Sequence, residues 1–235
     1  MKNKIKICAI AIIGALLISN EGCKKKVVDP PQADSTVTDI DGNIYHYATI
    51  GSQVWMLENL KTTHYRDGSP IPNVTADSAW SYLTTGAYSD YQNNPANSAV
   101  YGRLYNGHAV FDSRNIAPVG WHVSTDAEWT TLINYLQGDS VAGGKLKETG
   151  TTHWQSPNAG ATNEYGFAAL PGGYRNTTWA AFDKCGKQAT WFTTTVSTNS
   201  PVQVWYRSIA YDEVSVFHSD FASRTDGFSV RCVRD

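Results

Sequence analysis

The sequence predicts an α+β domain with antiparallel strands toward both ends and one clear helix between them. Three observations carry that reading. An Asp41-Gly42 pair separates residues 37–40 from residues 43–50, two stretches of alternating character, and Asp-Gly between such stretches is a strong hairpin signal. Thr125 precedes Glu128 at capping-box spacing, and Trp129, Leu132, Ile133 and Leu136 then fall on one helical face, so an amphipathic helix is predicted over residues 125–137. The last third of the chain intersperses short apolar, β-branched and aromatic runs with Gly, Asn and Ser, the pattern of short strands.

The elements follow in order from the N-terminus. Residues 1–6 carry three lysines, and residues 7–18 form a continuous apolar run. That run falls short of the roughly 20 residues that span a bilayer. A basic start before a short apolar run is the pattern of a secretory signal. It leads to Gly22-Cys23, followed by Lys24-Lys25-Lys26. This junction resembles bacterial lipoprotein signals, in which a small residue precedes a cysteine that becomes diacylated while the preceding segment is cleaved. The resemblance implies a signal peptide over residues 1–22, lipidation of Cys23 and attachment to a membrane through that anchor. Two acyl chains, at about 0.8 kcal/mol per buried CH₂, make such an anchor stable. Asn20 and Glu21 depart from the aliphatic and small residues usual there, so an ordinary cleaved signal peptide and an uncleaved anchor stay as alternatives. Residues 23–36 contain Asp29-Pro30-Pro31 and no periodicity, and read as a flexible tether. The lysines after Cys23 leave periplasmic and surface-facing outer-membrane placements both open.

Residues 37–235 show no internal repeat and no linker longer than a loop, so they read as one domain, long enough to bury a substantial core. After the hairpin, Gly51-Ser52-Gln53 turns the chain into Val54-Trp55-Met56-Leu57. Residues 61–118 are rich in Gly, Pro, Asn, Ser and Tyr, and read as long ordered loops with short elements. Gly138 ends the helix, and a second, shorter helix is expected to include residues 144–148. Strands are expected at residues 167–170, 189–195, 202–210, 214–218 and 228–233. The formal net charge of −2 implies no basic face for nucleic acid. The chain has 8 Trp and 13 Tyr against 2 Met, a balance that suits both half-buried pleated surfaces and a sugar-binding surface.

Several motifs recur in a fixed order. They are Gly51-Ser52-Gln53-Val54-Trp55-Met56-Leu57-Glu58-Asn59-Leu60, Tyr101-Gly102-Arg103-Leu104-Tyr105-Asn106, and Pro118-Val119-Gly120-Trp121-His122-Val123 before Asp126-Ala127-Glu128-Trp129. Gly143-Gly144-Lys145-Leu146-Lys147-Glu148, Ala169-Leu170-Pro171-Gly172-Gly173-Tyr174-Arg175 and Gly227-Phe228-Ser229-Val230-Arg231-Cys232-Val233 complete the series. Together they resemble the Fibrobacter succinogenes major paralogous domain of exported Bacteroidetes and Fibrobacter lipoproteins, over nearly all of residues 37–235. The resemblance implies a fold related to the formylglycine-generating-enzyme and C-type-lectin-like folds. It implies no activity, since a fold hosts many functions. Many relatives carry a cysteine where this chain has Ala117, so Cys232 lacks that partner and Cys185 is the remaining candidate for a disulfide with it.

Catalytic chemistry finds little footing. An oxidase of the formylglycine-generating kind needs a reactive, copper-binding cysteine pair, for which only Cys185 and Cys232 remain. Lys184 and Lys187 flank Cys185, a setting that would lower a thiol pKa. Gly144-Lys145 has Asp139 and Leu146 where a phosphate loop needs Gly and Ser or Thr. The histidines show no metal-binding spacing, there is no Gly-x-Ser-x-Gly elbow, and no carboxylate pair stands out. His122 reads as a packed, hydrogen-bonded residue. Ser156-Pro157-Asn158 and Asn163-Glu164 offer oxygens to a calcium ion without the lectin motif. No cofactor or metal is assigned.

The remaining candidate surface is aromatic: Trp154, Tyr174, Arg175, Trp179, Trp191, Trp205 and Arg207 fall in or beside the late loops and strands. Stacking rings and planar donors suit sugars or peptides, while core packing is the alternative for each ring. Asp34-Ser35-Thr36, Asp77-Ser78-Ala79 and Asp139-Ser140-Val141 resemble the Bacteroidetes O-glycosylation triplet, which marks Ser35, Ser78 and Ser140 as acceptors. The expected protein is a membrane-tethered, non-catalytic recognition or structural module of the cell envelope, partnered by glycan or an envelope protein. A divergent copper-dependent oxidase is the alternative.

Overall fold

The computed structural model describes residues 35–178 and 181–235. In chain order they form β1 (Thr36–Thr38), β2 (Ile44–Ile50), β3 (Gln53–Met56), α1 (Asp77–Ser81), β4 (Tyr88–Ser89) and α2 (Pro95–Tyr101). Then come β5 (Leu104–Asn106), α3 (Gly107–Val110), β6 (Trp121–Val123), α4 (Asp126–Tyr135), α5 (Asp139–Leu146) and β7 (Gly172–Arg175). The last are β8 (Phe182–Cys185), β9 (Gln188–Val196), β10 (Gln203–Ala210), β11 (Phe217–Ser223), β12 (Gly227–Phe228) and β13 (Cys232–Arg234). The strands make a five-stranded sheet in the order β1-β2-β3-β13-β6 and an eight-stranded sheet in the order β11-β10-β9-β7-β12-β5-β4, with β8 paired to β7. Strand pairing is antiparallel except between β7 and β9. The described domain is thus β-rich, with antiparallel sheets and few helices.

The early hairpin forms as read. β1 and β2 pair around Asp41-Gly42, where Gly42 takes φ of 83°, a left-handed conformation that glycine adopts without steric cost. Asp39 holds the turn, accepting from the backbone N–H groups of Asp41 and Asn43 and from the Tyr45 hydroxyl. The capping box also forms. Thr125 Oγ1 accepts from the Glu128 N–H, and the Glu128 carboxylate accepts from the Thr125 N–H. That arrangement satisfies two orphan donors of α4.

Other expectations are corrected. Helix is not confined to the centre, because α1, α2 and α3 are short helices inside the loop-rich region 61–118. Asn94 caps α2 with Pro95 in its first turn, a start signal whose following run is too short to show periodicity. The shorter central helix includes residues 144–146 as expected, but it begins at Asp139 and stops at Leu146, leaving residues 147 and 148 outside it. Residues 167–170 contribute only an isolated bridge from Ala169 to Lys147, and the strand lies just beyond, in β7. The strand expected at 214–218 is displaced to β11. The one expected at 228–233 is two strands, β12 in the large sheet and β13 in the small one.

That last break positions much of the core. Phe228 packs with Phe192 at 4.5 Å between centroids, while Cys232 and Val233 are buried in the small sheet. Between them Arg231 is buried, donating from Nε to Asn59 Oδ1 and from Nη1 to the carbonyls of Met56 and Phe167. Beside it Trp55, Trp129, Phe167 and Trp191 nest at centroid distances of 5.0 to 6.1 Å. These rings fill the space between β3, α4 and β9, at separations where aromatic pairs attract beyond their buried area.

Candidate functional site

Along β10 the two-residue period of a strand puts Tyr206 and Ser208 on one face and Trp205, Arg207 and Ile209 on the other. Register then sets the neighbours. Ser219 of β11 and Phe192 of β9 lie opposite Tyr206, and Phe217 and Thr190 lie opposite Ser208. Phe217 and Phe221 of β11 stand on this face with 56% and 68% of their surface exposed. Most exposed apolar side chains need no explanation, but two on one strand beside half-buried Tyr206 make a contiguous patch.

The patch is shaped. Tyr174, Tyr206, Phe221 and Phe228 line a cup of about 190 Å³ whose polar groups come from Asn176, Gln188, Thr190 and Asp226. A shallower groove shares Gln188 and Tyr206 and runs past Ser208 to Phe217 and Glu213. The rings brace one another: Tyr206 lies 5.4 Å from Phe228 and 6.0 Å from Phe217, and Tyr174 meets Phe228 edge-on at 6.1 Å. Asp226 is fixed by the Thr177 N–H and hydroxyl and by the Ser223 N–H. Burial, with Asp183 adding to it at Tyr174, pushes the phenol pKa of Tyr174 and Tyr206 up, so both hydroxyls stay neutral hydrogen-bond donors near pH 7. The face offers ring surfaces, hydroxyls, amides and one carboxylate in the cup.

Among the described residues singled out from sequence, only Tyr174 reaches this face. Trp154 is 1% exposed and donates its indole N–H to the Ala169 carbonyl at 2.9 Å. Trp191 is buried and donates to Asn59 Oδ1 at 2.8 Å. Arg175 is buried between the rings of Trp80 and Phe182, bound to the carbonyls of Val74 and Thr75 and to Asp77. Arg207, 2% exposed, ties β10 to α4 through Asp126 and Thr130. Trp205 lies on that same far side of β10, stacked near His218 at 5.6 Å. Trp154, Arg175, Arg207 and Trp191 are therefore structural residues: each has a polar group whose burial is tolerable only because the fold supplies its partner. Trp179 lies outside the described residues, as do residues 1–22, Cys23 and the tether up to residue 34.

Tyr206 falls inside the strand expected at 202–210, but nothing local marks which face it, Phe217 or Phe221 takes. A bulge shifts the register between β10 and β11, so Ser219 lies opposite Tyr206 and Ala222 opposite Val204, and Phe221 and Ala222 both line the cup; a plain period of two does not mark the face.

The candidate Cys185–Cys232 disulfide is not formed. Cys185 and Cys232 are free thiols in different sheets. Burial pushes the Cys185 thiol up despite its flanking lysines, and pushes Cys232 up to about 12. The loop oxygens considered for calcium serve their own backbone. Asn158 Nδ2 donates to the carbonyls of Glu148 and Gly150, and Asn163 Oδ1 accepts from the Ala168 N–H. Ser35, Ser78 and Ser140 are all exposed. His122 is held between Asp235 and Glu128 at 2.7 Å on each ring nitrogen.

A family model for the Fibrobacter succinogenes major domain matches residues 48–234. The chain belongs to that family. No curated protein and no solved structure matches it significantly. The matched span opens within β2 and closes on the last residue of β13. The Fibrobacter succinogenes major domain therefore takes in the aromatic face, the aromatic core and the buried Arg231. Among the described residues no helix is long and apolar enough to cross a membrane.

Proposed function

We propose that this chain is a non-catalytic recognition module of the cell envelope, tethered to a membrane by lipid on Cys23, and that the Tyr174–Tyr206–Phe217–Phe221 face binds glycan. The observation that carries the reading is the cup itself, where ring surfaces converge with Asn176, Gln188, Thr190 and Asp226. A sugar ring offers apolar C–H faces to stack on an aromatic side chain and hydroxyls around its edge for amide, hydroxyl and carboxylate partners. A protein partner is favoured less, because protein interfaces centre on well-packed apolar contact rather than on a polar-lined cup.

The fold is read as C-type-lectin-like and related to that of formylglycine-generating enzymes, which the antiparallel sheets, sparse helices and long ordered loops support. The basic start, short apolar run and Gly22-Cys23 junction support export and lipidation. The copper-dependent oxidase gains no support from Cys185 and Cys232, which lie in separate sheets with thiols that burial holds protonated.

Glycan-array binding of the domain spanning residues 35–235 tests the ligand, repeated with Tyr206→Ala and Phe221→Ala. Binding that both substitutions abolish is the expected result. Binding to no glycan, or binding indifferent to both, overturns the assignment. Mass spectrometry of the native N-terminus tests the anchor, with a diacylated Cys23 expected and an unmodified or uncleaved N-terminus against it.

A further inference from the structure

A second cavity lies away from the aromatic face, where β2 and β3 meet α2 and the 148–170 loops. It holds about 320 Å³ and is lined by Arg231, Glu58, Glu148, Tyr101, Leu57 and Leu170, among others. That volume is at the small end of ligand sites.

Its charges are arranged unusually. Arg231 is 1% exposed, yet it makes no salt bridge among the described residues. Its Nε and Nη1 are used on Asn59, Met56 and Phe167, and its Nη2 has no hydrogen-bond partner among the described residues. The face of Phe167 covers the guanidinium at 4.2 Å. Buried charge is costly unless paired, and burial lowers the Arg231 pKa to about 9. An anion delivered to Nη2 would meet the guanidinium nitrogen that Asn59, Met56 and Phe167 leave over, in a charge-assisted hydrogen bond.

A simple anion would also meet two carboxylates. Glu58 lines the cavity with its oxygens on His46, one at Nδ1 at 2.7 Å and one at the backbone N–H at 2.8 Å. Glu148 lines it with both oxygens on His153 Nδ1, at 2.8 and 3.0 Å. Carboxylates have lone pairs beyond those two contacts, and they attract an ammonium. Leu57, Val100 and Leu170 form apolar wall between these poles.

We infer that this cavity binds a free α-amino acid, its carboxylate on Arg231, its ammonium on Glu58 and Glu148, and its side chain against Leu57, Val100 and Leu170. One buried cation outside any direct salt bridge, with the Glu58 charge acting on it from nearby, and a second acidic group in the same small cavity match a zwitterion. Neither a plain carboxylate nor a plain amine satisfies both ends.

The test is calorimetric titration of the residue 35–235 domain with each of the common L-α-amino acids and their D-enantiomers, up to about 10 mM, a concentration that reveals even millimolar affinity. At least one amino acid with an apolar side chain is expected to bind. Its analogue lacking the amine and its analogue lacking the carboxylate should each bind at least about tenfold more weakly, which corresponds to about 1.4 kcal/mol. Arg231→Met removes the anion site but also strips the core of three hydrogen bonds, so it tests folding as much as binding, and the double variant Glu58→Gln, Glu148→Gln is the decisive one. It should fold and lose amino-acid affinity by a similar factor, while Phe221→Ala leaves that affinity intact. Absence of binding by every amino acid, equal binding of the deaminated analogue, or unchanged affinity in the double variant overturns the inference.

Discussion

Trp191 donates its indole N–H to Asn59 Oδ1 at 2.8 Å, joining β9 of the large sheet to the segment that follows β3 of the small one. The same oxygen accepts from Arg231 Nε at 3.0 Å, and Asn59 Nδ2 donates to the Tyr101 carbonyl at 2.8 Å. One buried amide therefore satisfies groups from three separate parts of the chain. Asn59→Ala orphans the indole and a guanidinium nitrogen in the core, and should cost about 2–4 kcal/mol. Urea unfolding monitored by tryptophan fluorescence measures this; a loss under about 1 kcal/mol would show that the network has little weight.

The His122 clamp makes stability depend on pH. Burial opposes the charged ring, but the hydrogen bonds to Asp235 and Glu128 outweigh it and raise the pKa. A folded pKa above the unfolded value means the clamp's stabilisation is complete below the unfolded value, about 6.5, and is lost as pH rises through the folded one. The melting temperature of the native domain should exceed that of His122→Gln by more at pH 5.5 than at pH 8.5. A gap that is flat or widens with pH contradicts the assignment.

Binding and stability should separate across the two faces of β10. Phe221→Ala removes a ring that is 68% exposed, so unfolding free energy should change by no more than about 0.5 kcal/mol while glycan binding disappears. Arg207→Ala leaves Asp126 with its partner gone beside α4, and should cost about 2–4 kcal/mol because breaking a mostly buried pair strands one charge. Glycan affinity of the folded Arg207→Ala fraction should match the parent. The reverse pattern would place the ligand on the α4 side.

The two thiols should differ in reactivity. Cys185 is half-buried and Cys232 fully buried in β13, and burial disfavours the thiolate of both. Ellman's reagent at pH 8 should label Cys185 slowly in the native domain and Cys232 only after denaturant is added. Fast labelling of either thiol would contradict this burial.

Local signals and tertiary ones were not equally readable. The Asp41-Gly42 hairpin and the Thr125–Glu128 capping box are legible because both act within a few residues. The split of the last strand is not, because residues 229–231 carry no Gly, Pro or other local turn signal, and only the competition of two sheets for the chain breaks them. Arginines misled for a related reason. Arg175 and Arg207 read as surface donors, but the fold buries both planar groups, Arg175 among rings, carbonyls and Asp77, and Arg207 against Asp126 and Thr130 of α4. At the candidate site only Tyr174 was anticipated; the rest of the face depends on strand register, which no local motif specifies.

The placement of β13 bears on when this protein folds. β13 lies between β3 and β6, so those two strands are joined in one sheet only through a strand far along the sequence from both. Pairing between segments distant in sequence is slow to form. This architecture makes completion of the small sheet, and with it the burial of Arg231 and Cys232, a late step of folding.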